Sequence, residues 1–214
     1  MELTVVLTNY LRPANMAVIL DALASQTLPH QVFVWDNSPE QSFAGQADWV
    51  VRSSRNAMCS ARWWLAAHAE TPWVLVMDDD LAPADQRVLA DLLEKLAEHA
   101  PTPVGAAGVI LDPSIAYSEC PRVGLECSRI SIDTQVDILK GRFFSAPTQR
   151  LESLGFLPLD AEDDIAASAH LQGGVVVPWL QDRLRELPTA GEARWRRPKH
   201  KQTREDARRQ WFEK

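Results

Sequence analysis

Three consecutive aspartates, Asp78, Asp79 and Asp80, follow directly on the apolar run of residues 73–77 (WVLVM). Adjacent carboxylates repel one another, and a hard divalent cation such as Mg2+ or Mn2+ relieves that repulsion because it prefers oxygen ligands. Alternate residues of an extended segment point the same way, so Asp78 and Asp80 face one site while Asp79 faces elsewhere. A cation held by only one or two carboxylates keeps positions open for substrate phosphates. The plain alternative is a solvated acidic turn. A second triplet, Glu162, Asp163 and Asp164, opens a predicted helix. The helix dipole favours carboxylates in a first turn, and one within hydrogen-bond reach of a hydroxyl can also take its proton.

Further polar residues stand at the ends of other predicted strands. They are Thr8, Asn9 and Arg12 after the first, Asp36 and Asn37 after the second, and Arg55 and Asn56 after the third. Each alone reads as a turn or cap residue. A parallel sheet brings all of them to the edge that carries the aspartates, the edge where open α/β sheets bind ligands. An Asp beside an Asn both accepts from and donates to a nucleobase edge, and an Arg stacks on a ring or pairs with phosphate. Together these residues point to a nucleotide pocket.

The elements that must position them follow from the hydrophobic pattern. Residues 3–8 (LTVVLT) are a continuous apolar, β-branched run, which suits a strand buried on both faces of a parallel sheet. Pro13 opens a helix with Met16, Ile19, Leu20 and Leu23 at helical spacing, and Pro29 marks its exit. Residues 31–35 (QVFVW) are the next strand, parallel to the first through a right-handed crossover. The pattern repeats with a strand over 49–52, a helix over 56–69 and a strand over 73–77. Pro83 opens a further helix with a stripe of Val88, Leu92, Leu93 and Leu96, and 104–110 is a strand. Residues 112–133 read as irregular, with a short hairpin around 122–124. Beyond them come a strand over 134–139, helices over 147–154 and 161–171, and a short strand at 175–177. Of Trp63 and Trp64, one is expected in the core and one partly exposed.

The chain has 214 residues with 22 Lys+Arg, 29 Asp+Glu and 46% hydrophobic residues, the composition of an ordinary globular protein. Its net charge of −7 is uneven: residues 194–214 carry +6 and the preceding 193 carry −13. An acidic body argues against general nucleic-acid binding. Three cysteines without metal spacing favour a reducing compartment. With no apolar stretch near the roughly 18 residues of a membrane span, a cytoplasmic protein is expected.

TVVLTNYLRP, VFVWDNS, SSRNAMCSARWWLA, VLVMDDDLAP and EDDIAAS, in this order, resemble the nucleotide-sugar-dependent glycosyltransferases of the GT-A fold. Within them the chain resembles the family 2 type, and VFVWDN, SRN and DDD also resemble the exostosin-like glycosyltransferases. The resemblance covers about residues 3–178. It implies a three-layer α/β domain, residues 1–187, with a mixed, mostly parallel central sheet. It also implies a Mn2+ or Mg2+ cofactor and transfer of a sugar from a nucleoside diphosphate sugar, expected to be a UDP-sugar, to an acceptor hydroxyl. It places Asp36 and Asn37 at the nucleobase, with Arg55 and Asn56 flanking it and Arg62 near the donor. Asp78 to Asp80 become a DxD-type segment, with Asp80 on the metal and Asp78 on the ribose, sugar or metal. The base is Asp163 or Asp164, and DDIA favours Asp164.

Residues 188–214 read as a basic arm, extended, partly helical or ordered only on binding. In many enzymes of this fold a C-terminal His or basic residue closes over the diphosphate or metal, which makes His200 a candidate beside its favoured, plainer reading as an exposed residue of the arm. The segment before EDD is short, so the acceptor site is either open or completed by a partner, including a second copy of the chain. The +6 arm suits a polyanionic acceptor such as an acidic glycan, a lipid phosphate or a nucleic acid. Two other readings compete. A nucleotidyltransferase of the same sheet type would carry a glycine-rich loop, which LTNYLRP lacks, and a non-catalytic module would bind the cation or nucleotide without transfer.

Overall fold

Val5, Val6 and Leu7 have no solvent exposure, and the strand that contains them, β1 (Leu3–Asn9), is buried along its whole length. A strand with two apolar faces needs a layer on each side. In the computed structural model, which describes residues 1–38, 43, 45–158, 162–189 and 199–213, helices and loops supply both. On one face α1 (Pro13–Ala24) packs through Met16, Ile19, Leu20 and Leu23. On the other, α2 (Ala61–Ala66) packs through Trp63, Leu65 and Ala66. Each large apolar side chain so covered contributes about 1.5–3 kcal/mol.

The first parallel strands form as expected. They are β1, β2 (His30–Asp36), β3 (Trp49–Arg52) and β4 (Trp73–Met77). Pairing aligns Asn9 with Asp36 and Leu7 with Met77, so the polar strand ends share one edge. The 8-stranded sheet continues through strands defined below and runs β3-β2-β1-β4-β11-β6-β12-β9. Its pairs are mixed, with β2–β3, β1–β2, β1–β4 and β6–β12 parallel. This is the α/β architecture the resemblance implied.

Several expectations change. Pro83 ends a short strand, β5 (Leu81–Pro83), and the helix, α3, spans Val88–His99. Proline has no N–H to donate and is accommodated at the end of a two-stranded ribbon. Along α3, Leu89 joins Val88, Leu92 and Leu96 in the core, and Leu93 is half-buried. The helix expected over 56–69 is shorter, because Met58 adopts a left-handed φ of 60° and Asn56 Oδ1 accepts its N–H at 2.8 Å. Residues 104–110 divide into β6 (Val104–Gly105) and β7 (Ala107–Val109). The Ala106 carbonyl between them accepts the Leu125 N–H at 2.8 Å, and β7 enters a 3-stranded sheet with β8 (Arg122–Gly124). Residues 134–139 divide likewise into β9 (Thr134–Val136) in the large sheet and β10 (Ile138–Leu139) in the small one.

Strand β11 (Phe143–Pro147) runs antiparallel between β4 and β6, where no element was expected. The helix expected over 147–154 is two 3-10 turns, Thr148–Arg150 and Glu152–Phe156. Then follow α4 (Asp163–Leu171), β12 (Gly174–Val176), α5 (Leu180–Arg183), β13 (Leu184–Glu186) and α6 (His200–Phe212). Helix α4 ends where Gln172 and Gly173 take left-handed φ values of 64° and 80°. Trp63 is buried and Trp64 half-buried, as expected. No helix among the described residues is long and apolar enough to cross a membrane.

Candidate active site

After β1 the chain turns sharply. Leu11 takes a left-handed φ of 59°, rare for a residue with a Cβ, and its N–H donates to Ser38 Oγ at 2.6 Å. The turn aims the Tyr10 N–H at Asp79 Oδ2, 2.8 Å away, and brings Arg12 against Asp79 and, at 3.2 Å, Asp80. Beneath it Asn9 Nδ2 donates to Asp36 Oδ1 at 2.9 Å, and Asn15 on α1 donates to the Asp79 carbonyl at 2.9 Å. Asp79 is thus a buried anchor between the first and fourth strand ends, but it does not face away from its neighbours as strand alternation predicted: the chain turns at Asp79 and Asp80, Arg12 reaches both, and all three aspartates border one cavity.

The next two segments meet at Arg62. This α2 residue is 3% exposed, with Nη1 2.6 Å from Asp78 Oδ1 and Nε and Nη2 2.8 and 2.7 Å from Asp163 Oδ2. Trp63 Nε1 donates to the same Asp163 oxygen at 2.9 Å. Gly141 gives the guanidinium room: a Cβ there would overlap Arg62, whose Nη1 donates to the Gly141 carbonyl at 2.8 Å.

On the far side, α6 closes over the second triplet. Arg204 Nη1 donates to Glu162 Oε2 at 3.0 Å, and its Nη2 donates to Asp164 Oδ2 at 2.8 Å and to the Tyr117 hydroxyl at 2.7 Å. Lys140 Nζ donates to that hydroxyl at 2.9 Å and lies 3.9 Å from Asp164. The basic arm is therefore helical over His200–Phe212, and some of its charge is turned inward. Arg208 likewise bonds Glu205 at 2.6 Å within α6.

These groups enclose a cavity of about 520 Å³. Of the residues expected at the site, Thr8, Arg12, Asn37, Asn56, Arg62, Asp78, Asp79, Asp80, Asp163, Asp164 and His200 line it. Asn9 and Asp36 lie beneath it as buried supports. Arg55 is exposed and stands away from the lining, because the Ser53–Arg55 turn directs it outward. Asn37 Oδ1 is engaged by Trp35 Nε1 at 3.1 Å and the Ala57 N–H at 2.7 Å.

Burial raises Asp78 above the ordinary carboxylate range against the pull of Arg62, and raises Asp79 to about 7 against Arg12. Asp164 goes the other way. Burial pushes it up, but Arg204 and Lys140 outweigh that and hold it well below the usual range.

Asp80 Oδ1 is buried without a hydrogen-bond partner among the described residues. A buried, unsatisfied carboxylate oxygen beside a second carboxylate is a hard donor set that fits Mg2+ or Mn2+. Among the described residues, Glu98, His99 and Asp133 are the group whose ligand atoms converge in threes. Lys95 Nζ already bridges that group, 2.8 Å from Glu98 and 2.9 Å from Asp133. Asp78, Asp80 and His200 share the cavity without forming such a cluster. That arrangement suits a cation that takes its remaining ligands from substrate.

Arg142, Lys140, Arg204 and Tyr117 were missed in the sequence. Local pattern carries no signal for them, since each is recruited by an element distant in the chain. The glycine before Arg142 was the one available hint.

Residues 4–126 match the family model described as Glycosyl transferase family 2. No curated protein matches the chain in sequence. Among solved structures it is similar to S. aureus TarS 1-349 in complex with UDP-GlcNAc, at 16% identity and a TM-score of 0.66, covering 92% of this chain and 62% of that one. It is also similar to the mannosyltransferase PcManGT from Pyrobaculum calidifontis in complex with GDP-Man and Mn2+, at 17% identity and a TM-score of 0.60, covering 91% and 59%. At these identities the likeness is one of fold, and the chain spans about three-fifths of each neighbour's length. The family match extends over more than half of the chain, from the first strand through both strand-end motifs and the aspartate triplet, and by it the chain belongs to glycosyl transferase family 2.

Proposed function

We propose that this protein transfers a sugar from a nucleoside diphosphate sugar, a UDP-sugar in the first instance, to an acceptor hydroxyl with the help of Mn2+ or Mg2+. The observation that carries this reading is the meeting of both acidic triplets in one cavity, joined by Arg62. The cavity's described lining holds eight carboxylates against the five cations Arg12, Arg62, Lys140, Arg142 and Arg204. A diphosphate is repelled by such a surface unless a cation accompanies it. The UDP-GlcNAc bound by one structural neighbour and the GDP-Man and Mn2+ bound by the other are consistent with that pairing.

Asp80 and Asp78 would hold the cation, and His200, which lines the same cavity, is the further candidate ligand. When bound, the cation neutralises charge on the leaving diphosphate. Thr8, Asn37 and Asn56 present the nucleobase end, with Asn9 and Asp36 bracing it from below and Arg55 outside. Asp163 is the anchor of Arg62, because one oxygen accepts from both Arg62 and Trp63. Asp164 is the base. Its carboxylate takes the acceptor hydroxyl proton as that oxygen bonds to the anomeric carbon, and the bond to the diphosphate oxygen breaks with its electron pair.

The protein is a cytoplasmic enzyme in this reading, with residues 1–187 as the glycosyltransferase domain and Thr189, His200 and Arg204 of the C-terminal arm supplying part of the wall of the site. The inward pairing of Arg204 and Arg208 leaves fewer arm charges for a polyanionic acceptor. A donor screen that reads nucleotide release, with Asp80→Asn and Asp164→Asn as controls, tests the reading. Each substitution is expected to abolish release while the fold persists. Full release by both variants would overturn it.

A further inference from the structure

Arg142 stands between the buried aspartate and the rim of the cavity. Its carbonyl accepts the Asp78 N–H at 3.0 Å, so its backbone is held at the end of β4 and the guanidinium is the part free to move. Nη2 lies 3.5 Å from Asp80 Oδ1, close enough to neutralise that oxygen but outside good hydrogen-bond range. Nη1 meets Glu126 and, at 3.3 Å, Glu186, two partly exposed carboxylates from separate parts of the chain. Glu126 follows β8 with a left-handed φ of 56°, and Glu186 ends β13, paired with Leu81 just after Asp80.

A divalent cation on Asp80 Oδ1 and a guanidinium 3.5 Å from the same atom repel each other. The rim carboxylates give the guanidinium a place to withdraw to. From there it still faces the cavity, where a planar fork matches two phosphate oxygens. We infer that Arg142 stands in for the cation on Asp80 in the resting site and becomes a ligand of the donor diphosphate once the cation arrives, so that metal and nucleotide bind as a coupled pair. This rests on the proposed donor class. It adds a residue that sets the order and affinity of binding, with the free nucleoside diphosphate as its simplest ligand.

The test measures Mn2+ affinity by electron paramagnetic resonance, without nucleotide and with UDP or, in parallel, GDP, and nucleotide affinity by calorimetry at saturating Mn2+. In the unaltered protein nucleotide is expected to tighten Mn2+ binding several-fold. Arg142→Met should bind Mn2+ alone about 3–10-fold more tightly and nucleotide at saturating Mn2+ about 10-fold more weakly, the size expected for loss of one charge-assisted phosphate contact. Glu126→Gln with Glu186→Gln, both partly exposed positions, should instead weaken Mn2+ binding alone, because Arg142 then rests more fully on Asp80. Unchanged or weaker Mn2+ binding in Arg142→Met, with the unaltered protein binding both ligands, overturns the inference and leaves the proposed function standing. Failure of the unaltered protein to bind Mn2+ with either nucleotide overturns both.

Discussion

Arg62 reaches Asp163 across a hundred residues of sequence, with Nη2 2.7 Å from one carboxylate oxygen. Through its Nη1 the same guanidinium also touches Asp78. One buried cation therefore sets the spacing between the aspartates at the end of β4 and those at the start of α4.

Removing Arg62 should cost both stability and turnover. Arg62→Met leaves Asp163 buried with Trp63 as its remaining partner, and breaking a buried pair from one side costs about 3–5 kcal/mol. Urea unfolding should show a loss of that size, and nucleotide release should fall at least about 100-fold. Arg62→Lys should recover little, because an ammonium cannot serve two carboxylates through a planar fork.

Gly141→Ala offers a subtler displacement. Its backbone needs no left-handed conformation, but the added Cβ overlaps the Arg62 guanidinium. Overpacking of this kind costs about 1–3 kcal/mol, and activity should fall more than stability because Asp78 and Asp163 lose their common partner. A variant with unaltered kcat would show that Arg62 tolerates the shift.

The pH dependence should turn on Arg204. Asp164 is a depressed carboxylate, so the stability it contributes is present above the unfolded value of about 3.9 and is lost only as pH falls through the lower folded value. The acid limb of kcat/KM in the unaltered protein should therefore not report Asp164 between pH 5 and 8. In Arg204→Gln, burial acts on Asp164 with Lys140 as the nearest cation that remains, Glu162 also losing its Arg204 bond. The limb should move upward by at least about one pH unit, and the variant's stability deficit should narrow as pH falls. A pH–rate profile with parallel unfolding curves checks both.

Chelation should separate metal from scaffold. With EDTA, nucleotide release is expected to stop while thermal unfolding shifts little, and Mn2+ should restore it. Asp80→Asn should bind Mn2+ more weakly by at least about 10-fold, since it removes the charge from the buried oxygen that has no hydrogen-bond partner among the described residues.

Wherever a signal is local, it was legible in the residues. The apolar runs of β1, β2 and β4 have to be buried strands, and parallel pairing then carries the Asp triplet and the polar strand ends to one edge. The acidic start of α4 was legible for the same reason. Strand β11 was not, because Phe143–Pro147 is a short run whose strand identity comes from fitting between β4 and β6. The division of residues 104–110 and 134–139 between two sheets depends likewise on which backbone groups find partners.

The sequence by itself determined the α/β class, the strand edge that carries the carboxylates, and most of the carboxylates that line the cavity. These follow from periodicity and chain direction, which are properties of neighbouring residues. Tertiary structure alone decided that Asp163 anchors Arg62, that Arg204 from α6 rests on Asp164, and that Arg142 shields Asp80. Each of those pairings joins charges far apart in sequence. Only the fold brings them within a few ångströms and removes the water that would otherwise screen them.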